Sequence, residues 1–360
     1  MTPTFPLARR ALAAVLAITA VTVAACGGDA ASSDTGDAGD AAAVPSAAEI
    51  PDGLTLTVAE QNGSESVSYE LSGAGDDAPY EVTFADFNGG PAVIEAVMSG
   101  GADVGYVGEA PLPIAASNGL DELVAIAARA NPGSSGNYYL VAQPGRGIDS
   151  VEDLAGHTVA YPPGTGRHMI AAAQIAAAGL TLGEDVEAVE LAGSEVAPTF
   201  ASGAVDAAIV LGSQYYNLGE PPILEDGEGF NWGLNFLIVR RDTLDDEGKV
   251  AAIGDYVRRS VAASNWEVAH PDDWIQANYV EREGITAEQG RALVDDAGFD
   301  YYYPIDDDLE AAFQEVADGL RETGTIATDV DVAPLVDGRF DAVVDEQNAA
   351  DDVEPRPLDQ

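Results

Sequence analysis

The chain is 360 residues long and carries 62 acidic against 15 basic side chains, a formal net charge of −47 at pH 7. So large an acidic excess excludes nucleic acid as a natural partner, because both would be polyanions, and a single cysteine excludes an internal disulfide framework. Such a chain repels itself where screening lengths are long, and its acidity is expected to be an adaptation to a salty exterior rather than a binding surface.

Arg9 and Arg10 precede an apolar run from Ala11 to Ala25, which ends in Val23-Ala24-Ala25-Cys26. A short basic region followed by such a run is a secretory signal. It is shorter than the roughly 20 residues that a membrane-spanning helix needs. Val23 to Cys26 resembles the lipobox of bacterial lipoproteins, in which the thiol is diacylated and the chain is cut just before it. Residues 1–25 are therefore expected to be a signal peptide and Cys26 the lipidated N-terminus; the alternative is an ordinary cleaved signal with an incidental cysteine. Two acyl chains suffice to hold a protein on a membrane surface. Loss of Arg9 and Arg10 leaves 13 basic against 62 acidic side chains, a net −49.

Residues 26–50, rich in Gly, Ala, Ser and Asp, cannot bury enough apolar surface to offset their ordering entropy and read as a flexible acidic tether. The remaining chain of about 300 residues has periodic apolar segments throughout, enough for two lobes.

Leu54 to Gln61 and Tyr80 to Phe87 alternate apolar and polar residues, the period of a strand. Asn88-Gly89-Gly90-Pro91 opens a helix, since proline suits a first helical position. Ala102 to Val107 is expected to be a buried strand, Glu109 to Ser117 a short helix and Leu123 to Ala130 another strand. Alternation of this kind signals a mostly parallel sheet covered on both faces. A second unit begins at Tyr138 to Gln143, continues with a capping box at Ser150 to Asp153 and a strand at His157 to Tyr161, and reaches an alanine-rich helix through Gly164-Thr165-Gly166-Arg167-His168. A strand at 186–191, a helix at 194–202 and strands at 207–211 and 235–240 follow. Helices then take over at 249–270, 272–282, 286–297 and 308–322.

The extended segments near 137–142 and 235–240 bracket one complete α/β unit, as two chain crossovers between lobes would. The expected division is 51–137 plus 241–345 for the first lobe and 138–240 for the second, with 346–360 a disordered acidic tail.

GGPAVIEAVMSGGADVGYVGEAP at 89–111, SVEDLAGHTVAYPPGTGRH at 150–168, FASGAVDAAIV at 200–210 and NWEVAHPDDW at 265–274 resemble, in order and spacing, the aliphatic sulfonate, nitrate and taurine family of ABC-transporter binding proteins. The resemblance implies an α/β, two-lobed type II periplasmic-binding-protein fold, each lobe a mostly parallel sheet flanked by helices, with the ligand in the cleft. It implies a small anionic ligand of the sulfonate class and, as partners, the permease and ATPase subunits of an importer. It implies neither cofactor nor metal. A monomer is expected, tied to the membrane through its lipid anchor. Nitrate, a thiamine-pyrimidine-like precursor or service as a sensor without transport are the alternatives.

In open α/β sheets ligands lie at the carboxyl ends of strands, where helix N-termini offer free N–H groups and partial positive charge. Four junctions are therefore candidates. Gln61 and Asn62 end the first strand, where the family carries a polar contact or the chain has only a solvated turn. Gly90 and Pro91 bring backbone close to a ligand or simply make a tight turn. Glu109 stands where the family usually has a short acid; it either marks an amino-sulfonate such as taurine or serves a hinge or cap. At the fourth, Thr165, Gly166, Arg167 and His168 replace the family's usual Gly-Ser-Ser-x-His. Arg167 can meet an oxyanion through two parallel N–H bonds or form a surface ion pair, and His168 either contacts ligand or packs within its helix. Gln214 and Tyr215 stand where the family has Trp-Asp-Pro-Tyr, which alters one wall. Trp232, Asn235 and Trp266 are further wall candidates or core. Enzymes share the fold, but no nucleophile-base pair, phosphate loop or metal-ligand spacing stands out, and no catalytic residue is expected.

Overall fold

The computed structural model describes residues 49–131 and 137–358; the signal, Cys26 and nearly all of the tether fall outside them. The chain runs through β1 (Thr55–Gln61), α1 (Ser64–Leu71), β2 (Glu81–Phe87), α2 (Gly90–Met98), β3 (Val104–Gly108), α3 (Pro111–Ser117) and β4 (Leu123–Ala130). It continues with β5 (Tyr138–Ala142), β6 (Thr158–Tyr161), α4 (Gly166–Ala177), β7 (Glu187–Glu190), α5 (Gly193–Ala201), β8 (Ala207–Leu211), α6 (Gly212–Asn217) and β9 (Ile223–Asp226). Then come β10 (Leu234–Arg240), α7 (Glu247–Ala269), α8 (Pro271–Trp274), α9 (Ala287–Ala297), β11 (Tyr301–Tyr303), α10 (Asp307–Glu322) and α11 (Asp341–Ala350).

These strands form two sheets, one in the order β11-β4-β10-β3-β1-β2 and one in the order β7-β6-β8-β5-β9. In the first, β1 pairs parallel with β2 and β3, while β10 is antiparallel to both β3 and β4. In the second, β6 pairs parallel with β7 and β8, and β5 is antiparallel to β8 and β9. The near-continuous apolar runs of β4 and β10 are buried on both faces, as central strands covered by helices must be. Side-chain caps set several helix starts. Thr165 accepts from His168 N–H at α4, Asp246 from Lys249 N–H at α7, and Asp306 from two N–H groups at α10.

Two differences from the sequence reading have physical causes. Leu234–Arg240, placed at the end of the second lobe, is a strand of the first sheet, so the chain crosses back before it, between β9 and β10. The segment expected to be a disordered tail begins inside α11, and Val353 and Leu358 pack on the core while the Arg356 carbonyl accepts from Tyr303 Oη at 2.7 Å. Two short helices, α1 and α6, were not among the elements read from the sequence; both are polar and too short to show a helical period.

The outgoing crossing leaves Ala130 and the return crossing reaches Leu234, and the two touch. A Cβ on Gly233, whose φ is +67°, would lie 3.1 Å from the Asn131 carbonyl oxygen. Both the left-handed backbone and the close approach call for glycine there.

Candidate ligand-binding cleft

The carboxyl ends of the parallel strands in both sheets face one cavity of about 340 Å³. On the first sheet the lateral register brings Gly108, Asn235, Arg129 and Tyr302 side by side at its rim. On the second, Tyr138 pairs with Leu211, and the loops after β6 and β7 deliver the starts of α4 and α5. Helix N-termini thus converge on the cavity with their free N–H groups.

The second-sheet wall is made of Tyr138, Thr165, Gly166, Arg167, Gly193, Ser194 and Leu211. Arg167 is its charged side chain. It is buried, 9 % exposed, and its Nη1 has no hydrogen-bond partner. Burial lowers its pKa, and no carboxylate opposes that effect. A Cβ on Gly193 would lie 2.6 Å from Arg167 Nη2, so the guanidinium rests directly on the first residue of α5. Among the described residues no other buried arginine lacks a carboxylate: Arg259, equally buried, pairs with Asp255 and Asp77.

The opposite wall is acid-rich. Arg129 pairs with Glu65 and, at 3.1 Å, with Asp300, and stands 5.0 Å from the Tyr106 ring centre. Burial by itself would lower the Arg129 pKa, but Glu65 and Asp300 outweigh it and hold the value well above the ordinary one. Glu267 on α7 lines the same wall, and burial pushes its pKa up to about 8. Asn278 and Tyr279 reach it from a π-helical segment at Ile275–Arg282, a wide turn often found at functional sites.

Glu109, 2 % exposed, follows β3 on this wall. Its Oε2 accepts from Leu234 N–H at 3.0 Å, whereas Oε1 is buried with no hydrogen-bond partner. Burial pushes its pKa up to about 8, against the opposing effect of the Leu234 and Trp232 N–H groups. Burial of this kind favours a neutral carboxyl group over a carboxylate.

Of the residues singled out in the sequence, Gln61, Asn62, Glu109, Thr165, Gly166 and Arg167 line the cavity together, as does Asn235. Gln61 Nε2 donates to the Tyr106 carbonyl at 3.0 Å, and Asn62 has φ 58° at the turn after β1. The other seven stand off it. A Cβ on Gly90 would strike the Pro111 ring, so this glycine permits α2 to meet α3; its neighbours Asn88 and Gly89 do the lining. Pro91 instead faces Gly164, a Cβ on which would lie 3.1 Å from the proline Cγ. His168 stacks on Tyr161 at 4.7 Å and its Nδ1 accepts from Gly164 N–H at 3.3 Å. Gln214 Oε1 accepts from Leu211 N–H at 3.2 Å, and Tyr215 packs on Tyr139 at 5.1 Å. Trp266 stacks on His270, and Trp232 packs on the core.

The reading of the sequence missed Glu65, Arg129, Glu267 and Asp300. Arg129 had a signal: a guanidinium inside the otherwise apolar LVAIAARA must be paired wherever that strand is buried. The acids had none, since 62 acidic residues hide any three.

No group of acids, histidines and cysteines with the spacing of a metal site occurs among the described residues, and no helix there is long and apolar enough to cross a membrane.

Comparison with known proteins agrees with this architecture. A family described as ABC transporter, phosphonate, periplasmic substrate-binding protein matches residues 76–227. An Escherichia coli (strain K12) protein named for binding aliphatic sulfonates is 28 % identical over 172 residues, 47 % of this chain and 52 % of the relative, so the match spans about half of that protein. The taurine-binding periplasmic protein of the same organism is 26 % identical over 243 residues, 65 % of this chain and 73 % of the relative. The alkanesulfonate-binding protein of Xanthomonas axonopodis pv. citri, solved with MOPS bound, superposes with a TM-score of 0.70 at 21 % identity, over 80 % of this chain and 98 % of its own. At that identity the superposition speaks for the fold. Residues 76–227 are thus similar to the periplasmic substrate-binding proteins of ABC transporters, and the fold seen in the alkanesulfonate-binding neighbour extends through both sheets of this chain.

Proposed function

We propose that the protein is the extracytoplasmic binding component of an ABC importer and captures a small organic anion, an aliphatic sulfonate or taurine, between its two lobes. The observation that carries this reading is Arg167: a buried guanidinium on the cleft wall, unpaired in a chain with a large surplus of carboxylates. A buried charge without a partner is costly, and an oxyanion seated among the starts of α4 and α5 would supply one through charge-assisted bonds. A monoanion suits the site better than a phosphonate dianion, because the facing wall already holds Glu65 and Asp300 against Arg129. The cavity of about 340 Å³ also exceeds what nitrate would fill.

The relatives' names support the ligand class, and the crossings at Asn131 and Gly233 would be the hinges on which the lobes close. Cys26, diacylated, would tether the protein outside the cytoplasmic membrane beside its permease and ATPase. The test is a thermal-shift panel in high salt with alkanesulfonates, taurine, nitrate and phosphonates. Stabilisation by millimolar or lower sulfonate that vanishes in Arg167→Ala is expected; no shift with any sulfonate overturns the ligand class. Mass analysis of the membrane-associated protein would find two acyl chains on Cys26.

A further inference from the structure

We propose that Glu109 works as a neutral carboxylic acid, with its proton on Oε1, and donates a hydrogen bond to an oxygen of the bound oxyanion. This rests on the reading of the cleft as an oxyanion site and assigns the one acid that looks out of place in it. The two oxygens of Glu109 are not equivalent. Oε2 is occupied by the Leu234 N–H at 3.0 Å, an interaction that only an acceptor oxygen can make, whereas Oε1 is buried on the cleft wall with no partner. A carboxylic acid whose carbonyl oxygen accepts from Leu234 must carry its proton on the other oxygen. That O–H then lacks an acceptor until a ligand brings one, and a buried unsatisfied donor is costly.

The surroundings favour the neutral form. Glu109 follows β3 and packs against the chain entering β10, where the Leu234 and Trp232 N–H groups favour the ionised form but burial outweighs them. Burial pushes the hydroxyl of Tyr138, on β5, up to about 12, with the Arg167 guanidinium opposing the rise and Glu109 adding to it. The remaining charged groups of the cavity, Glu65, Arg129, Glu267 and Asp300, interact with one another rather than with Glu109. No cation thus holds Glu109 ionised, and burial pushes its pKa up to about 8. Glu109, Tyr138 and Arg167 line the same cavity, so one oxyanion within it would accept from Arg167 on the second-sheet wall and from Glu109 on the first. The same acid would exclude a ligand that brings its own proton donors to that spot, since donor would then meet donor.

Ethanesulfonate is the probe, because it has no group that titrates between pH 6 and 10. Its affinity for wild type is expected to be flat near neutrality and to fall about tenfold per pH unit above pH ~8. Glu109→Gln, which keeps a donor but cannot ionise, should lose that dependence and bind more tightly than wild type at high pH. Glu109→Ala, without a donor, should bind at least about tenfold more weakly than Glu109→Gln at pH 7. The dependence should persist in Glu267→Gln, which removes the other cleft acid whose pKa burial pushes up to about 8. Gln as weak as Ala, with wild type preferring taurine over ethanesulfonate and binding it more tightly as Glu109 ionises, would overturn the proposal in favour of a carboxylate that receives an ammonium group.

A readout without ligand separates this from the ligand class. The infrared difference between wild type and Glu109→Gln at pH 7 should contain a protonated-carboxyl C=O band that disappears as the pH passes about 8. Absence of that band at pH 7 sinks the neutral acid whatever binds. Presence of the band with no sulfonate bound by wild type sinks the sulfonate reading and with it the donated bond, leaving only the protonation state.

Discussion

Each wall of the cleft holds an arginine that is mostly out of solvent, and the two are in opposite situations. Arg129 on the first-sheet wall is bracketed by Glu65 and Asp300, so its charge is satisfied within the protein. Arg167 on the second-sheet wall has no carboxylate, and its neighbours are a tyrosine and the glycine that begins α5. The difference separates two jobs that composition alone would lump together. An internally paired guanidinium holds structure, and breaking the pair leaves buried charge; an unpaired one costs stability until a ligand completes it.

The comparison is broken most directly by deleting each arginine in turn. Arg129→Ala strands Glu65 and Asp300 beside each other, and should destabilise the ligand-free protein by about 3–5 kcal/mol in denaturant titrations at high salt. Arg167→Ala removes a charge that had no partner, so the ligand-free protein should be no less stable than wild type. Its loss should appear in binding instead: at least about 100-fold weaker ethanesulfonate affinity by calorimetry, the worth of roughly two charge-assisted hydrogen bonds. If Arg167→Ala unfolds the protein as readily as Arg129→Ala does, the distinction between the walls is wrong.

Much of this organisation was legible in the sequence, for reasons that differ by element. The order of strands and helices was plain because β4, β10 and α4 carry long apolar periods, and GTGRH placed Arg167 at a helix start. Sheet membership of 234–240 was not, since an apolar strand reads the same in either lobe until its register with Gly108 and Arg129 is known. His168, Gln214 and Tyr215 were drawn in by proximity along the chain to cleft residues. A helix start presents successive residues to different sides, and these three turn to Tyr161, to a backbone cap and to Tyr139. The Glu65, Asp300 and Glu267 cluster joins positions more than 200 residues apart, which no local pattern encodes.

The acid-rich wall also predicts how stability responds to pH. Glu109 and Glu267 have folded-state pKa values raised to about 8, so both states bind their protons well below the unfolded value, and the folded state alone holds them between. Stability is therefore fully present below about pH 4.3 for these two groups and is lost as the pH rises towards and through 8. Between pH 5 and 8 the ligand-free protein should lose at least ~2 kcal/mol, followed by denaturant midpoints in brine. Glu109→Gln and Glu267→Gln should each flatten part of that fall. A stability that is flat or rises over this range would mean that both acids are ionised in place.

The smallest effect tests how Arg167 is aimed. Gly193 has no left-handed backbone to protect, so Gly193→Ala keeps α5 intact and should leave stability within about 0.5 kcal/mol. The new methyl, however, would lie 2.6 Å from Arg167 Nη2, and the flexible guanidinium rather than the backbone must give way. Displacement by even a few tenths of an ångström weakens bonds whose strength depends on distance and angle. Ethanesulfonate affinity should fall about five- to tenfold, a loss of about 1 kcal/mol, with the enthalpy of binding reduced. An unchanged affinity would mean that Arg167 reaches its anion from a rotamer that does not rest on α5, and the second-sheet wall would then owe its anion preference to the helix N-termini alone.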